Sequence, residues 1–308
     1  MPSRILITGA NGFLGSACVR ALRSAGHDVI TTDKRGQVDH TGDLADAGFC
    51  GTLPAVDVVV HSAAVQYVSA DLPLLARHSY FERNNVVATR QLIGRYGSEA
   101  VHFLNIGTSM MYRQLDAGRY SPACELAGQG VYSRSKLAAQ RLLTLAPGLR
   151  WATVVPCIIG GAGRGGLFSR FVKSIQRFGV AVCPGTGQYP IATVHVDDVA
   201  SLIETIVRVR ATGIYNAAAP EPLTLLQWIS CTAAELGRTN VRVLRIPIQL
   251  VSVLAKASRY RLLAAEQLQM LLRPHILDTT TSEALGWSPR MSNLATLQEI
   301  VRFTSQQH

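Results

Sequence analysis

The sequence predicts an α/β fold, a doubly wound parallel sheet with a smaller mixed lobe at its C-terminal end. Three observations predict it. Short apolar runs alternate with amphipathic stretches through the first half; a glycine-punctuated turn follows the first run directly; and the alternation breaks after Pro156. In order, strands are expected at 5–8, 29–32 and 56–61, with a helix at 13–25 between the first two. A helix at 81–96, a strand at 101–106, a helix at 131–145 and a strand at 151–155 continue the rhythm. Beyond Pro156 a glycine-rich segment (Gly160, Gly161, Gly163, Gly165, Gly166) leads into a helix at 167–178. Further helices are expected from Asp197, near 223–236 and at 294–303, with a strand at 213–216. The expected division is 1–156 for a nucleotide-binding unit and 157–308 for a substrate lobe interleaved with returning sheet elements.

Of 308 residues, 48% are hydrophobic and 16% charged, which excludes a disordered linker or tail. The net charge of +10 arises from 26 arginines and 4 lysines against 20 acidic residues. They are scattered, without the basic stripe and interleaved aromatics that nucleic-acid binding uses, so no nucleic-acid partner is expected. Six dispersed cysteines form no CxxC pair and no metal-ligand spacing with histidine, which implies reduced thiols and no metal. The chain reaches Ile5 too soon for a signal peptide and holds no apolar run of membrane-spanning length, so a cytoplasmic protein without stable membrane insertion is expected. The stretch 248–272 repeats apolar residues at helical spacing and reads as a cover for the C-terminal lobe, with a membrane-surface helix as its alternative.

Thr8-Gly9-Ala10-Asn11-Gly12-Phe13-Leu14-Gly15 lies between the first strand and the first helix, which makes the sheet Rossmann-type. Gly9 permits the tight turn, Gly12 lets the backbone approach a pyrophosphate, and Gly15 lets helix and strand pack closely, with Phe13 and Leu14 opening the helix toward the anion. Asp33 follows 18 residues after Gly15, a spacing suited to a carboxylate on the adenosine ribose hydroxyls, which favours NAD. Lys34 and Arg35 keep NADP open, because either attracts a 2′-phosphate. Asp43, followed by Leu44, suits an adenine contact or a helix cap.

Tyr132 and Lys136 stand four residues apart, on one face of a helix, where a nearby cation favours the phenolate of an acid–base tyrosine. At this point the chain resembles the extended short-chain dehydrogenase/reductases, which include the NAD-dependent epimerases and dehydratases. The resemblance spans essentially the full length. It rests on Thr8–Gly15, Asp43-Leu44, His61-Ser62-Ala63-Ala64, Asn85 with Thr89, Tyr132 with Lys136, His195-Val196-Asp197-Asp198-Val199-Ala200 and Leu285-Gly286-Trp287-Ser288-Pro289. It implies that Thr108 orients the reacting oxygen, with Ser109 as the adjacent contender, that Tyr132 exchanges a proton with the substrate, and that Lys136 lowers its pKa and bonds the nicotinamide ribose. It further implies cofactor contacts at Ala63, Ala64, Asn85 and Pro156, with His61 either on the nicotinamide side or packing at its strand end. His195 reads as structural. A homodimer is implied through the helices containing 85–96 and 131–145.

The family pattern also fails in places. The dehydratases of this branch carry an Asp-Glu pair where Ser109 and Met110 stand here, which argues against dehydration. The Asn after the Pro156 strand and the Arg of the usual diphosphate clamp are replaced by Ile158 and by the segment 189–193; Arg164 or Arg170 nearby could replace that clamp, although each reads first as a solvated surface residue. The segment 155–160 looks more like that of 3β-hydroxysteroid dehydrogenases and dihydroflavonol reductases. With Val65, Met110, Met111, Leu167 and Phe168 near in motif order, the pocket is expected to be partly apolar, with Thr108, Ser109, Met110, Ile158 and Leu167 as candidate substrate contacts, and its variable walls at 67–80, 113–130 and 157–193. The expectation is an NAD-dependent oxidoreductase acting on a secondary alcohol or ketone of a small molecule. A sugar-nucleotide epimerase is the alternative, and a silent dinucleotide sensor, which would ordinarily have lost the Tyr/Lys pair, stands third.

Overall fold

The computed structural model describes residues 2–67, 69, 71–73, 75–257 and 265–307. The centre of the fold is a seven-stranded, wholly parallel sheet: β1 (Arg4–Thr8), β2 (Asp28–Asp33), β3 (His40–Thr41), β4 (Val58–His61), β5 (His102–Ile106), β6 (Arg150–Pro156) and β7 (Gly213–Ala217), in the order β7-β6-β5-β4-β1-β2-β3. The order reverses between β1 and β4, where the crevice of a doubly wound sheet lies.

The strands read as unbroken apolar runs because both faces are covered. Ile5, Ile7, Val58, Val60, Leu104 and Ile106 point to one side, where helices Phe13–Ser24 and Val196–Val209 pack. Leu6, Val59 and Phe103 point to the other, against helices Ala88–Tyr96 and Val131–Leu145. Each of these side chains is 6% exposed or less, so each contributes roughly 1.5–3 kcal/mol of burial.

Helix Arg77–Phe81 passes through a wide π-type stretch at Glu82–Val87 into helix Ala88–Tyr96, so the expected helix at 81–96 is longer and locally widened. The second half contributes β7 to the main sheet and builds a lobe from helices Leu167–Phe178, Leu225–Glu235 and Asn293–Ser305 with the parallel pair Val180–Pro184 and Arg242–Ile246. That strand pair is absent from the sequence reading. Val180–Pro184 has an exposed middle position, and Arg242–Ile246 carries two arginines and is almost wholly exposed, so neither reads as an unbroken apolar run. The stretch 248–272 forms helices Ile248–Ala257 and Ala265–Met270; the rest of it between them lies outside the described residues. Among the described residues no helix is long and apolar enough to cross a membrane, and no cluster of His, Cys, Asp and Glu could hold a metal ion.

Two motifs far apart in sequence clasp each other. Trp287 donates its indole N–H to the Asp198 carbonyl (3.1 Å) and the Ser201 hydroxyl (2.9 Å), while the Asp198 carboxylate accepts from the amides of Arg290 (2.9 Å) and Met291 (3.1 Å). His195 caps helix Val196–Val209 through the Asp197 amide and bonds Glu299 at 2.8 Å, a structural role.

Candidate active site

A cavity of about 580 Å³ lies across the C-terminal ends of the strands. Its nucleotide end is lined by Gly9, Gly12, Phe13, Leu14, Asp33, Asp43, Leu44, Ala63 and Ala64, and its far end by Thr108, Ser109, Met110, Tyr132, Lys136, Pro156 and Ile158. Gly15 and Asn85, read from the sequence as cofactor contacts, stand behind this wall.

Gly15 faces the turn itself: a Cβ there would lie 1.9 Å from the Gly9 carbonyl oxygen, so only glycine lets the helix close on the strand. Gly9 adopts φ +66°, and a Cβ on it would strike the Ala63 backbone at 2.7 Å. Asn85, in the π-type stretch, accepts from the Val65 amide at 2.9 Å and donates to the Ser135 hydroxyl at 2.9 Å, fastening the loop after β4 to the Tyr132 helix. The side chain of Leu167 lies outside the described residues.

The nucleotide end fits a dinucleotide. Gly12 provides no side-chain cap to helix Phe13–Ser24, whose first turn carries no acidic residue, so this helix start is open to an anion. The Asp33 carboxylate is fixed at the rim by the amides of Asn11 (3.0 Å) and Lys34 (2.7 Å). The Lys34 ammonium is engaged by the Asn84 side-chain oxygen (2.5 Å) and by Asp43 (3.3 Å), and Arg83 joins Asp43 at 2.7 Å. Although burial opposes it, the Ala45 amide, Arg83 and Lys34 together hold the Asp43 carboxyl below its usual range. Lys34 is thus committed within the protein.

At the far end, helix Val131–Leu145 presents Tyr132 and Lys136 to the end of β5. Thr108, at the cap of the turn after β5, lines the cavity together with Tyr132, and its side chain acts to lower the Tyr132 phenol's pKa. Lys136 donates to the Ile106 carbonyl at 2.8 Å, and burial lowers its pKa to about 8. The sequence reading that Lys136 lowers the Tyr132 pKa does not describe this arrangement. Burial raises the phenol well above its ordinary value, and the opposing cation is Arg164, not Lys136. Arg164, read from sequence as a surface residue, lines the cavity with its guanidinium over the Phe13 ring, 5.4 Å from the centroid. Arg170 is exposed, as expected.

His61 is enclosed between the hydroxyls of Thr8 (2.8 Å) and Thr89 (3.0 Å), with its pKa pushed down to about 3 by burial and then by Lys136. It packs at its strand end and does not line the cavity. Met111 is buried in the core, and the segment 113–130 contributes no lining residue among those described, because Tyr120 pairs it to Leu277 and directs it away. The wall expected there comes instead from Gln267, Met270 and Leu271.

The same C-terminal segment supplies a residue that sequence reasoning missed. Glu266, 4% exposed, accepts from the Tyr67 hydroxyl at 2.8 and 3.0 Å, from the Ser133 hydroxyl at 3.1 Å and from the Ser133 amide at 3.3 Å. Gly130 at the helix cap has no side chain to satisfy that amide, so a carboxylate 133 residues away does. Tyr67 in turn accepts from the Tyr132 amide at 3.3 Å and sets its ring edge-on to that of Tyr132 at 5.8 Å.

Comparison with known proteins agrees with this geometry. Residues 5–218 match the NAD dependent epimerase/dehydratase family. A dTDP-glucose 4,6-dehydratase of Streptomyces griseus is 29% identical over 244 residues, covering 70% of this chain and 73% of the relative. Among solved structures, the UDP-glucose 4-epimerase of Thermus thermophilus in complex with NAD superposes with a TM-score of 0.79 at 19% identity, covering 99% of this chain and 100% of that one. Human epimerase family protein SDR39U1 with NADPH gives 0.80 at 18% identity, covering 97% and 99%. The fold, the glycine turn and the matched span together show that this chain belongs to the NAD-dependent epimerase/dehydratase family, enzymes of the extended short-chain dehydrogenase/reductase type.

Proposed function

We propose that the protein is an NAD-dependent oxidoreductase interconverting a secondary alcohol and a ketone on a small, partly apolar molecule. The observation that carries this reading is the convergence of Thr108, Tyr132 and Lys136 in a cavity whose neighbouring walls are Val65, Met110, Ile158, Ile159, Phe168 and Met270. A bound nicotinamide would supply the hydride acceptor or donor, held by Gly9, Gly12, Phe13, Leu14, Asp33, Asp43, Leu44, Ala63, Ala64 and Pro156, with Lys136 beside its ribose and Gly15 and Asn85 shaping the wall from behind. The commitment of Lys34 to Asp43 and Asn84 supports NAD over NADP.

Tyr132, kept neutral by burial, holds the proton destined for a substrate carbonyl oxygen and takes one back from a carbinol. Thr108 stands on the same cavity wall, where its hydroxyl would orient the reacting oxygen. Lys136 is anchored on the Ile106 carbonyl, which holds its ammonium under the helix face carrying Tyr132. Ser109 and Met110 furnish no second acid and base beside Thr108, so elimination of water lacks its proton carriers here. Retention of all three of Thr108, Tyr132 and Lys136 supports an enzyme over a silent sensor.

The test is net production of reduced dinucleotide from NAD on incubation with apolar secondary alcohols, beside a parallel incubation with UDP-sugars. Net reduction with an alcohol is expected. Conversion of a UDP-sugar to its epimer without net reduction would replace this reading by the epimerase one. We further propose a cytoplasmic homodimer joined through helices Ala88–Tyr96 and Val131–Leu145, which sedimentation velocity checks.

A further inference from the structure

Arg164 follows strand Ile158–Gly160 on the loop to helix Leu167–Phe178, and the Arg164 amide bonds the Gly161 carbonyl at 3.2 Å to hold that loop as a turn. Most arginines that form ion pairs in this protein do so at the surface: Arg4 with Asp28, Arg20 with Asp197, Arg113 with Glu125, Arg302 with Glu235. Arg164 differs in burial and in company. It lines the cavity with its guanidinium over the Phe13 ring, and burial pulls its pKa below the usual arginine value. Among the described residues no carboxylate pairs with it and no oxygen accepts a hydrogen bond from its guanidinium. The buried carboxylate of Glu266 is spent on Tyr67 and Ser133. A half-buried cation without a counter-charge is poorly satisfied, and five N–H donors in a planar fork match a carboxylate or phosphate.

We propose that Arg164 is the oxyanion-binding residue of this cavity, and that the substrate is a secondary alcohol or ketone carrying a carboxylate or phosphate on an apolar body. The inference rests on the oxidoreductase reading and narrows it. Arg164 and Tyr132 line the same cavity, so the anionic group and the reacting oxygen belong to one small molecule. Ile158, Ile159 and Phe168 on the same wall receive its apolar part. The same oxyanion chemistry has a second source, the pyrophosphate of the dinucleotide, because Phe13 belongs to the glycine turn.

Calorimetric titration separates the two sources. Protein saturated with NAD is titrated with a panel of medium-chain α- and β-hydroxyalkanoates, each beside its uncharged methyl ester, and NAD itself is titrated into protein alone. The expected result is that at least one acid binds about ten-fold or more tightly than its ester, the size of a charge-assisted hydrogen bond. Arg164→Gln should abolish that preference and leave the NAD affinity within about two-fold, with Arg164→Lys intermediate because it keeps the charge and loses the fork. If no acid surpasses its ester, the proposal is overturned. It is equally overturned if R164Q keeps the preference, whether NAD weakens, which would assign Arg164 to the pyrophosphate, or stays unchanged. Melting of R164Q and R164K beside the parent chain shows that both are folded. Binding is read apart from turnover, so an acid that binds through Arg164 and yields no reduced dinucleotide would refute the oxidoreductase reading and leave this one standing.

Discussion

Glu266→Gln isolates the contact by which the C-terminal segment holds the helix of Tyr132. The carboxylate accepts from the Tyr67 hydroxyl, the Ser133 hydroxyl and the Ser133 amide, and an amide side chain keeps the volume while losing the charge and half of the accepting capacity. Losing a helix cap costs about 1 kcal/mol, and weakening hydrogen bonds to a buried charge about 1.5–3 kcal/mol, so the variant should lose about 2–4 kcal/mol. For a chain of this size that is a fall in melting temperature of roughly 4–8 °C by calorimetry. Catalysis carries a second signature. Burial foremost raises the Tyr132 phenol, Arg164 lowers it and Glu266 raises it again, so removing the negative charge moves the Tyr132 transition of the pH–rate profile to lower pH. Gly130→Ala attacks the same contact from the other side, since a Cβ at that position would lie 1.9 Å from the Glu266 carboxyl carbon, and it should reproduce the loss of stability. An unchanged melting temperature together with an unmoved profile in E266Q would refute the reasoning, as would a shift of the profile to higher pH.

Three other outcomes are expected. Tyr132→Phe should keep dinucleotide binding while turnover falls by at least about 10²-fold, read by titration and by initial rates. Asp33→Ala should weaken NAD more than NADP, because under the proposed reading the carboxylate fixed by the Asn11 and Lys34 amides would accept ribose hydroxyls and repel a 2′-phosphate; equal losses would remove it from cofactor selection. Stability should fall with acid through the buried histidines. Burial depresses His61 to about 3 and His102 and His275 to about 4, so each native histidine stays neutral while the unfolded chain takes up protons below about 6.5. Their contribution is complete above that pH and is lost as pH falls toward the folded values, about 2 kcal/mol from His61 alone by about pH 5, measurable as a declining denaturant midpoint.

The main sheet was legible because its chemistry is local. Strands covered on both faces must be apolar throughout, as 58–60 is, and the turn after β1 needs glycine where Gly9 and Gly15 would otherwise strike backbone. The pairing of Tyr132 with Lys136 was legible for the same reason, a helical repeat of four residues. What the cation does was not. Lys136 spends a hydrogen bond on the Ile106 carbonyl, a backbone group with no mark in the sequence, and Arg164 sits among glycines that read as a solvated loop. Glu266 left no local trace either: one carboxylate in an apolar amphipathic stretch looks like the polar face of a surface helix until folding brings it to a capless glycine.

These residues divide by origin in a way that bears on specificity. The glycine turn, Asp33, Thr108, Tyr132 and Lys136 all lie before Pro156 and suffice for a dinucleotide and a proton carrier. Both charged side chains that bias Tyr132 in opposite directions, Arg164 and Glu266, come after it. An anion paired with Arg164 would remove the pull that lowers the phenol and leave burial and Glu266 to keep it protonated. The neutral phenol is the form that can give a proton to a carbonyl oxygen. Burial keeps the phenol neutral in either case, so an anionic keto substrate that cancels Arg164 would meet a weaker acid, whereas an uncharged ketone would meet a phenol whose proton Arg164 has made easier to give. Specificity and acid strength would then both depend on the second half of the chain, and R164Q should remove the preference for an anion and the dependence of the Tyr132 transition on substrate charge together.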